Sequence, residues 1–257
     1  MKDGISETPS LGHGSPPGDG GLRSAGPRYT SACVLAGGEG RRLGGMDKQL
    51  IEGPDGKPLG PFLAGELSAL FPEVLVATRR PELYPGSRAI ADIIPGFGIL
   101  SGLHAALNAS RSPWLYLAAC DMPLVSAEWI GFLADKIRMA EAAAKAKPHS
   151  GAEASSEIAG LAPFACLARY ESHFEPFHAF YSRSLIPALE KLFRDSGPRD
   201  GGKKRPSVKE LFAAAEHEAI GYPLFIPEAE ARKISPEWRL FFNINEPSEL
   251  ERFRSAK

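Results

Sequence analysis

A glycine-rich segment that also carries three cations runs from residue 37 to residue 48. Its five glycines allow the backbone to take positive φ angles and to turn N–H groups towards an anion. The cations Arg41, Arg42 and Lys48 could neutralise much of the charge of a triphosphate. The segment therefore predicts a phosphate-binding loop, and a flexible turn with solvated arginines is the alternative.

Two familiar phosphate-binding motifs do not fit this segment. Lys48 is preceded by Asp47 and followed by Gln49, so the Gly-Lys-Ser/Thr of the Walker motif is missing. The dinucleotide-binding fingerprint would need a glycine in place of Leu43. If the segment binds phosphate, it does so in another way.

An acidic residue, Asp121, follows the apolar run of residues 114–119 and is succeeded by Met122 and Pro123. A carboxylate at the tip of a buried strand suits a hard divalent cation. Mg²⁺ typically takes one or two protein carboxylates together with phosphate oxygens and water. We expect Asp121 to hold Mg²⁺; a turn residue or a helix cap is the other interpretation.

A second acid, Asp92, follows a shorter strand-like stretch and precedes a segment punctuated by glycines. In that segment, Gly98 and Gly102 would leave room for a flat base or a ribose against the backbone. Asp92 could equally be a turn former.

Strand-like and helix-like stretches alternate along the chain. Short apolar runs predict strands at 31–36, 73–77, 88–91 and 114–119. Helical spacing predicts helices at 59–71, 100–107 and 126–137, and a capping box at 207–210 predicts a further helix start. This alternation predicts an α/β fold with a mostly parallel sheet between helices on both faces. Ligands of such sheets bind beyond the carboxyl ends of the strands, which is where Gly37, Asp92 and Asp121 fall.

The composition limits the classes of protein that the chain can belong to. It has 257 residues, 43% hydrophobic and 24% charged, with a net charge of −1. This excludes wholesale disorder, and the balanced charge offers no basic footprint for nucleic acid. No apolar run approaches the ~20 residues that span a bilayer, so we expect no membrane association. Three cysteines, Cys33, Cys120 and Cys166, lie in apolar stretches and predict reduced core thiols in a cytoplasmic protein.

The domain organisation follows from the distribution of glycine, proline and serine. Residues 1–29 are rich in these three types and show no apolar periodicity, which predicts a disordered tail. Residues 30–254 are expected to form a single domain, with flexible inserts near 142–156 and 194–206.

Four motifs together resemble the molybdenum cofactor guanylyltransferases, a family within the nucleotidyltransferase superfamily. They are LAGGEGRRLGGMDK at 35–48, Asp92 with GILSG at 98–102, CDMP at 120–123 and FNINEP at 242–247. The motifs occur in the family's order, and the resemblance covers about residues 30–252. The first motif is highly specific, whereas the CDMP motif is shared across the superfamily.

The resemblance implies a Rossmann-like three-layer α/β/α fold and a defined reaction. GTP and molybdenum-bearing molybdopterin would form the guanine dinucleotide cofactor and pyrophosphate, with Mg²⁺ as the metal. The implied partners are these two small molecules and, transiently, molybdenum-insertion proteins or apoenzymes, with no nucleic acid and no membrane.

The resemblance also implies roles for individual residues. The catalytic residues would be Lys48, Arg42 and Asp121, with Asp121 as the metal ligand. The nucleotide would be bound by Leu35, Ala36, Gly37, Gly38, Gly45, Lys48, Asp92, Gly98, Gly102 and Asp121. Asn243 and Asn245 fall where the family receives the pterin, and Arg205 is a further candidate for the pterin phosphate. His178 is expected to be a part-buried structural histidine, because an ionised phosphate nucleophile needs no strong base.

Three positions depart from the family pattern, and the first two of them concern recognition of the base. Ile99 stands where proline is usual, Ala77 where many members have asparagine, and Ala179 where proline is common. The Leu-Ala-Gly-Gly start still favours GTP over CTP, since CTP-using relatives more often carry Ala-Ala-Gly.

Several alternatives remain open. On the same fold, the chain could be a molybdopterin cytidylyltransferase or a sugar-phosphate nucleotidyltransferase. From other classes, it could be a non-catalytic carrier of the finished cofactor, or a regulatory module whose basic run at 203–205 contacts nucleic acid.

Overall fold

The computed structural model describes residues 27–37, 39–40, 46–53, 56–146, 160–197, 205–245, 249 and 251. Within these ranges the strands are β1 (Ser31–Leu35), β2 (Glu39–Gly40), β3 (Met46–Asp47), β4 (Glu73–Ala77), β5 (Arg88–Ile90), β6 (Trp114–Ala119), β7 (Pro163–Tyr170), β8 (His173–Phe174), β9 (Ala179–Ser182) and β10 (Tyr222–Pro227). The helices are α1 (Leu59–Ser68), α2 (Ile99–Ala109), α3 (Ala127–Lys145), α4 (Ile186–Ser196), α5 (Val208–His217) and α6 (Glu228–Ile234). Short 3₁₀ turns occupy Pro27–Tyr29, Lys48–Leu50, Pro81–Leu83, Arg183–Leu185 and Pro236–Phe241.

A mixed, mostly parallel sheet forms the middle layer. Its strand order is β10-β7-β9-β6-β1-β4-β5, with β8 paired to β7. Strands β4, β1 and β6 are parallel neighbours, β5 continues this set beyond β4, and β10 runs parallel to β7. Strand β9 lies antiparallel between β6 and β7. The predicted α/β class with a mostly parallel sheet is confirmed.

Two hydrophobic cores lie on opposite faces of this sheet. Side chains of α1, α3 and α6 belong to one core, and side chains of α2, α4 and α5 belong to the other. All six residues of β6 are buried, as expected for a parallel strand that is covered on both faces. The arrangement is therefore helix–sheet–helix, in three layers.

Local signals begin the helices where the sequence predicts. Ser126 caps α3 by accepting a hydrogen bond from the backbone N–H of Trp129. Ser207 and Glu210 form the predicted capping box at the start of α5. The three cysteines are free and buried, also as predicted.

The register of the central strands aligns their carboxyl ends. Leu35 at the end of β1 stands opposite Ala77 of β4 and Ala119 of β6, and Ala77 stands opposite Ile90 of β5. The residues that follow these four positions therefore emerge at one edge of the sheet. This edge is where a site can be assembled.

The expected boundaries of the tail and inserts need correction. Tyr29, assigned to a disordered tail, is buried, and its ring packs against Trp114 and Phe180. Helix α3 continues through 142–145 and α4 through 194–196, so these positions are helical rather than part of flexible inserts. Residues 1–26, 147–159 and 198–204 lie outside the described residues.

Among the helices of the described ranges, none combines the length and apolar character that crossing a membrane requires.

Candidate active site

Lys48 directly follows β3 and lies at the edge of the sheet. Strand β2 pairs antiparallel with β3, so that Glu39 stands opposite Asp47. A short 3₁₀ turn then begins at Lys48, and the Asp47 carboxylate caps it by accepting from the backbone N–H of Gln49. The predicted residues Gly38, Arg42 and Gly45 lie outside the described residues, as does Arg41.

Lys48 joins two of the other predicted site residues. Its Nζ donates to Asp121 Oδ2 at 2.7 Å and to Asn245 Oδ1 at 2.7 Å. The side chains of Lys48 and Asp121 are only 14% and 18% exposed. The backbone N–H of Ile244 also donates to the carbonyl oxygen of Asp121 at 2.8 Å. Three segments far apart in the chain thus meet at one ammonium group.

The turn that carries Asp121 is fixed by hydrogen bonds on both sides. Cys120 N–H donates to Leu35 O, which ties the turn to the end of β1. On the other side, His178 Nε2–H donates to Met122 O at 3.0 Å. Because that carbonyl can only accept, Nδ1 is the unprotonated nitrogen of the neutral ring, and it accepts from the hydroxyl of Tyr116 at 2.9 Å.

His178 is a structural residue, as predicted, although it is fully buried rather than part-buried. Burial lowers its pKa to about 4, so the imidazole is neutral at pH 7. Its carbonyl oxygen accepts from the indole N–H of Trp129 at 2.7 Å, which connects it to α3. The ring therefore supports the Asp121 turn and is not placed as a proton carrier.

Glu175 is a charged residue near the site that sequence reasoning missed. Its pKa is raised to about 7: desolvation is the largest cause, the N–H of Phe177 acts in the opposite direction, and the negative charge of Asp121 adds to the rise. That N–H donates to Glu175 Oε1 at 3.2 Å. The only sequence signal was its position beside Pro176 in the segment that leads to His178.

The glycine-punctuated segment after β5, which is predicted to contact the base, is built around a buried serine. Ser101 Oγ accepts from Phe97 N–H at 2.9 Å and donates to Ile94 O at 2.7 Å. Gly98 precedes α2 with φ of +60°, a conformation that favours glycine. These contacts hold the loop after β5 in one conformation at the sheet edge.

Gly102 has a packing role in this segment. A Cβ at this position would lie 2.8 Å from Leu35 Cδ2 and 3.8 Å from Ala77 Cβ. The missing side chain lets α2 approach β1 and β4 closely. A contact between Gly102 and a nucleotide stays a prediction.

Asp92 lies on the solvent side of the same loop. Partial desolvation raises its pKa above the ordinary value, and the charge of Arg79 lowers it. Arg205 also reaches this region, since its Nη1 lies 3.5 Å from where a Cβ of Gly98 would stand. The structure thus brings Arg205 to the segment that begins α2, and its contact with the pterin phosphate stays a prediction.

Residues 242–245, near the end of the described chain, carry two side-chain amides. Asn243 Oδ1 is buried and has no hydrogen-bond partner among the residues that the structure describes. The backbone N–H of Asn245 donates to Glu249 Oε2 at 2.6 Å, and Ile244 between the two asparagines is fully buried. Residues 242–245 are not a strand, unlike the family's late strand that they resemble.

The first predicted nucleotide-binding residues follow the end of β1. Leu35 is half-buried, Ala36 is buried and donates its N–H to Ala77 O at 3.0 Å, and Gly37 is exposed. Gly37 is therefore the point at which the backbone leaves the sheet and meets solvent.

The two side-chain oxygens that accept hydrogen bonds from Lys48 are suited to bind a cation. Asp121 Oδ2 and Asn245 Oδ1 already converge on one positive group, the Lys48 ammonium, at equal distances of 2.7 Å. Both are hard oxygen ligands of the kind that Mg²⁺ uses together with phosphate oxygens and water. Across the described part of the chain, no cluster of three or more His, Cys, Asp or Glu residues could hold a metal ion by itself.

Comparison with known proteins identifies the family. The model of the MobA-like NTP transferase domain matches residues 32–211. The chain belongs to this family. It is therefore a nucleotidyltransferase, and the resemblance inferred from the motifs is confirmed.

Curated relatives and a solved structure agree with this assignment. A protein of Peptoclostridium acidaminophilum named "Probable molybdenum cofactor guanylyltransferase" is 33% identical, with 88% of each chain covered. The molybdenum cofactor guanylyltransferase of Syntrophotalea carbinolica is 30% identical over 88% of this chain and 91% of its own. Molybdopterin-guanine dinucleotide biosynthesis protein A from Archaeoglobus fulgidus has the same fold, with a TM-score of 0.63, 24% identity and coverage of 88% and 97%.

Proposed function

We propose that the protein transfers GMP from GTP to molybdopterin, forming the molybdopterin guanine dinucleotide cofactor and releasing pyrophosphate. Two curated relatives are named for this activity, and this chain aligns with most of the length of each. The observation that carries the proposal is the pair of 2.7 Å hydrogen bonds from Lys48 to Asp121 and Asn245. These bonds bring together the cation proposed to bind the phosphates (Lys48), the carboxylate proposed to bind the metal (Asp121) and an amide proposed to bind the acceptor (Asn245).

The reaction is an in-line displacement at phosphorus. An oxygen of the terminal phosphate of molybdopterin attacks the α-phosphorus of GTP, the bond from that phosphorus to the bridging oxygen breaks, and pyrophosphate leaves with the electron pair. The attacking oxygen is already ionised at pH 7, so no side chain has to remove a proton. Catalysis then rests on positioning and on neutralising charge.

Lys48 supplies charge neutralisation in this account. Its ammonium is partly buried, where an ion interacts more strongly than in bulk water. We infer that it moves from the oxygens of Asp121 and Asn245 to those of the triphosphate when the nucleotide binds. Gly37 follows the end of β1 and is exposed, so its backbone N–H is open to a phosphate.

Asp121 is the residue that would hold Mg²⁺, as a carboxylate ligand beside phosphate oxygens and water. When bound, the ion would neutralise charge on the triphosphate oxygens. Asp121 brings a carboxylate that the Cys120, Ile244 and His178 hydrogen bonds hold in place from three directions. This rigidity supports a role in orienting the reacting phosphate.

Asn243 and Asn245 support an acceptor site. The buried amide oxygen of Asn243 has no partner within the described ranges, and such an oxygen is costly unless a ligand satisfies it. The pterin ring carries several N–H donors that could do so. Ile244 anchors the two asparagines by packing between Ile51 and Leu59.

The base-side residues are Asp92, Gly98, Gly102 and the adjoining Arg205. A carboxylate such as that of Asp92 accepts hydrogen bonds from paired N–H donors, which guanine has and cytosine lacks. The relatives' names and the Leu-Ala-Gly-Gly start both favour guanine.

The test is release of pyrophosphate. The protein is incubated with Mg²⁺, with each nucleoside triphosphate in turn, and with molybdopterin or a hexose 1-phosphate. Release with GTP and molybdopterin is expected. Release with CTP would establish the cytidylyltransferase alternative, and release with a hexose 1-phosphate would establish the sugar-phosphate alternative.

A pair of aspartate variants makes the test specific to the site. Asp121→Ala should abolish turnover and leave the fold intact. Asp135→Ala, which removes an exposed aspartate of α3, should leave turnover unchanged. Near-normal Mg²⁺-dependent activity of Asp121→Ala would contradict the assignment, and stoichiometric cofactor binding without pyrophosphate release would instead indicate a carrier.

A further inference from the structure

A cluster of hydrogen-bonded polar side chains, formed by Asp47, Gln49, Thr78 and Tyr84, lies next to Lys48. Gln49, the next residue, is only 3% exposed, and its side-chain amide uses both of its ends. Its Nε2 donates to Asp47 Oδ2 at 2.9 Å, and its Oε1 accepts from Thr78 Oγ1 at 3.0 Å and from the Tyr84 hydroxyl at 2.9 Å. A buried amide with this many partners has one stable orientation.

The cluster holds the residues on both sides of Lys48. Asp47 caps the 3₁₀ turn from the N-terminal side, and Arg80 Nε lies 3.4 Å from its carboxylate. Gln49 holds the turn from the C-terminal side. Lys48 itself has a long flexible side chain, so the position of its ammonium depends on how firmly its backbone is held.

The same cluster reaches the base side of the site. Thr78 follows Ala77 at the carboxyl end of β4, and its hydroxyl also accepts from the backbone N–H of Arg80 at 2.9 Å. Tyr84 ends the short turn that follows, and it is buried. The loop after β4 is thus bonded to the turn that carries Lys48.

Helix α1 is shaped to admit the cluster. A Cβ at Gly60 would stand 2.2 Å from the Tyr84 hydroxyl oxygen and 3.0 Å from Gln49 Cβ. Any other residue at this position would displace the hydroxyl or the helix. The close approach of tyrosine, glutamine and helix therefore depends on this glycine.

We infer that Gln49, Thr78 and Tyr84 are positioning residues that hold Lys48 where the triphosphate binds and couple it to the base-side loop. The inference rests on the proposed role of Lys48 at the triphosphate. None of the three residues has to touch the nucleotide. They act by limiting the positions that the backbone of Lys48 can take.

The test removes the two hydroxyl donors and asks whether the effect passes through Lys48. The double variant Thr78→Val/Tyr84→Phe keeps the shapes of both side chains. Four proteins are compared: the wild type, this double variant, Lys48→Met, and the triple variant. The dissociation constant of Mg²⁺-GTP is measured by calorimetry without acceptor, and kcat is measured from pyrophosphate release.

We expect the double variant to bind Mg²⁺-GTP about tenfold more weakly, or to lose at least tenfold in kcat. In the Lys48→Met background the same two changes should alter binding by no more than about twofold, since the lysine on which they act is gone. An equal loss in both backgrounds, or no loss in either, would overturn the inference. If Lys48→Met binds and turns over like the wild type, the proposed role of Lys48 fails, which is a distinct result.

Controls separate positioning from stability. Thr78→Ser keeps the hydroxyl and should behave like the wild type, whereas Thr78→Val alone should show part of the loss. Ile137→Val, in the core of α3, should lower the melting temperature without changing kcat. If the double variant does not fold, Thr78→Val and Thr78→Ser are compared instead, each with and without Lys48→Met. Equal kinetics of Thr78→Val and Thr78→Ser in the protein that keeps Lys48 would overturn the inference.

Discussion

The ammonium group of Lys48 donates to the side-chain oxygen of Asn245 at 2.7 Å, across 197 positions of the chain. The same nitrogen donates to Asp121 Oδ2, also at 2.7 Å. One cation thus satisfies the carboxylate and the amide that are the candidates for the metal and the acceptor. We expect a bound triphosphate to draw the lysine away and to release both oxygens for their ligands.

Replacement of Lys48 should remove a large part of the activity. Lys48→Met keeps the length of the side chain and deletes the charge, so the leaving pyrophosphate loses a donor worth on the order of 3–4 kcal/mol. We expect kcat/KM to fall by at least about 10²-fold. Lys233→Met, which removes an exposed lysine of α6, serves as the matched control and should not change kcat/KM. Equal rates for the two variants would disprove the role.

Replacement of Asn245 should affect the acceptor more than the nucleotide. Asn245→Ala removes an amide that can pair with the pterin phosphate or its ring, and such a hydrogen bond is worth about 1.5–3 kcal/mol when one group is charged. KM for molybdopterin should rise about tenfold or more, whereas KM for GTP should stay within about threefold. Asn108→Ala, an exposed amide on α2, is the control. A rise confined to KM for GTP would place Asn245 on the nucleotide side instead.

His178 should make the fold sensitive to acid. Its pKa is about 4 in the folded protein and 6.5 ordinarily, so between these values the unfolded chain binds more protons. The stability that the neutral ring contributes is present above pH 6.5 and is lost as the pH falls towards 4. His178→Phe should therefore flatten the fall of the melting temperature over this window, as calorimetry would measure, while the exposed His217→Gln should not.

The same variant should weaken the Asp121 turn at neutral pH. Without the imidazole, Met122 O and the Tyr116 hydroxyl lose their partner, at a cost of about 1–3 kcal/mol. We expect a lower melting temperature at pH 7 and a higher Mg²⁺ concentration for half-maximal activity. An unchanged Mg²⁺ requirement in the folded variant would show that the turn does not depend on His178.

Glu175 should have the opposite pH dependence. Its pKa is about 7 when folded and 4.5 ordinarily, so the folded protein binds more protons between these values. Its contribution to stability is complete below pH 4.5 and is lost as the pH rises through 7. Glu175→Gln should raise the melting temperature at pH 8 by roughly 2–4 °C, the shift produced by about 1 kcal/mol in a chain of this size, with no gain at pH 4.5.

The control for this variant is Glu216→Gln, which neutralises an exposed carboxylate of α5. It should leave the melting temperature at pH 8 unchanged. A gain that is equal at both pH values would mean that Glu175 acts through packing and not through its charge.

The sequence predicted the parallel half of the fold well. Strands β1, β4 and β6 are apolar apart from Ser31 and Glu73 at their starts, and their local signal is strong because both faces are buried. Strands β7, β9 and β10 were not predicted. Strand β9 is four residues long and pairs antiparallel with two neighbours, a choice that depends on contacts far along the chain and not on its own periodicity.

The candidate site was predictable in its residue types and not in its contacts. Glycines, Lys48 and Asp121 after buried strands indicated a phosphate and metal site, since strand ends meet at one edge. The bonds from Lys48 to Asn245 and the approach of Arg205 to Gly98 join segments that no local pattern connects. Gln49 gave no signal, and Glu175 gave only its position before Pro176, because the roles of both arise from burial, which the sequence around them does not display.

The position of Lys48 Nζ in the nucleotide complex is the most direct test of its proposed role. A crystal structure with Mg²⁺ and a non-hydrolysable GTP analogue would measure this. We predict that Lys48 Nζ lies within hydrogen-bond distance of a phosphate oxygen, with Asp121 facing the metal and the base beside Asp92 and Gly98. A triphosphate bound elsewhere, with Lys48 still on Asp121 and Asn245, would contradict the account.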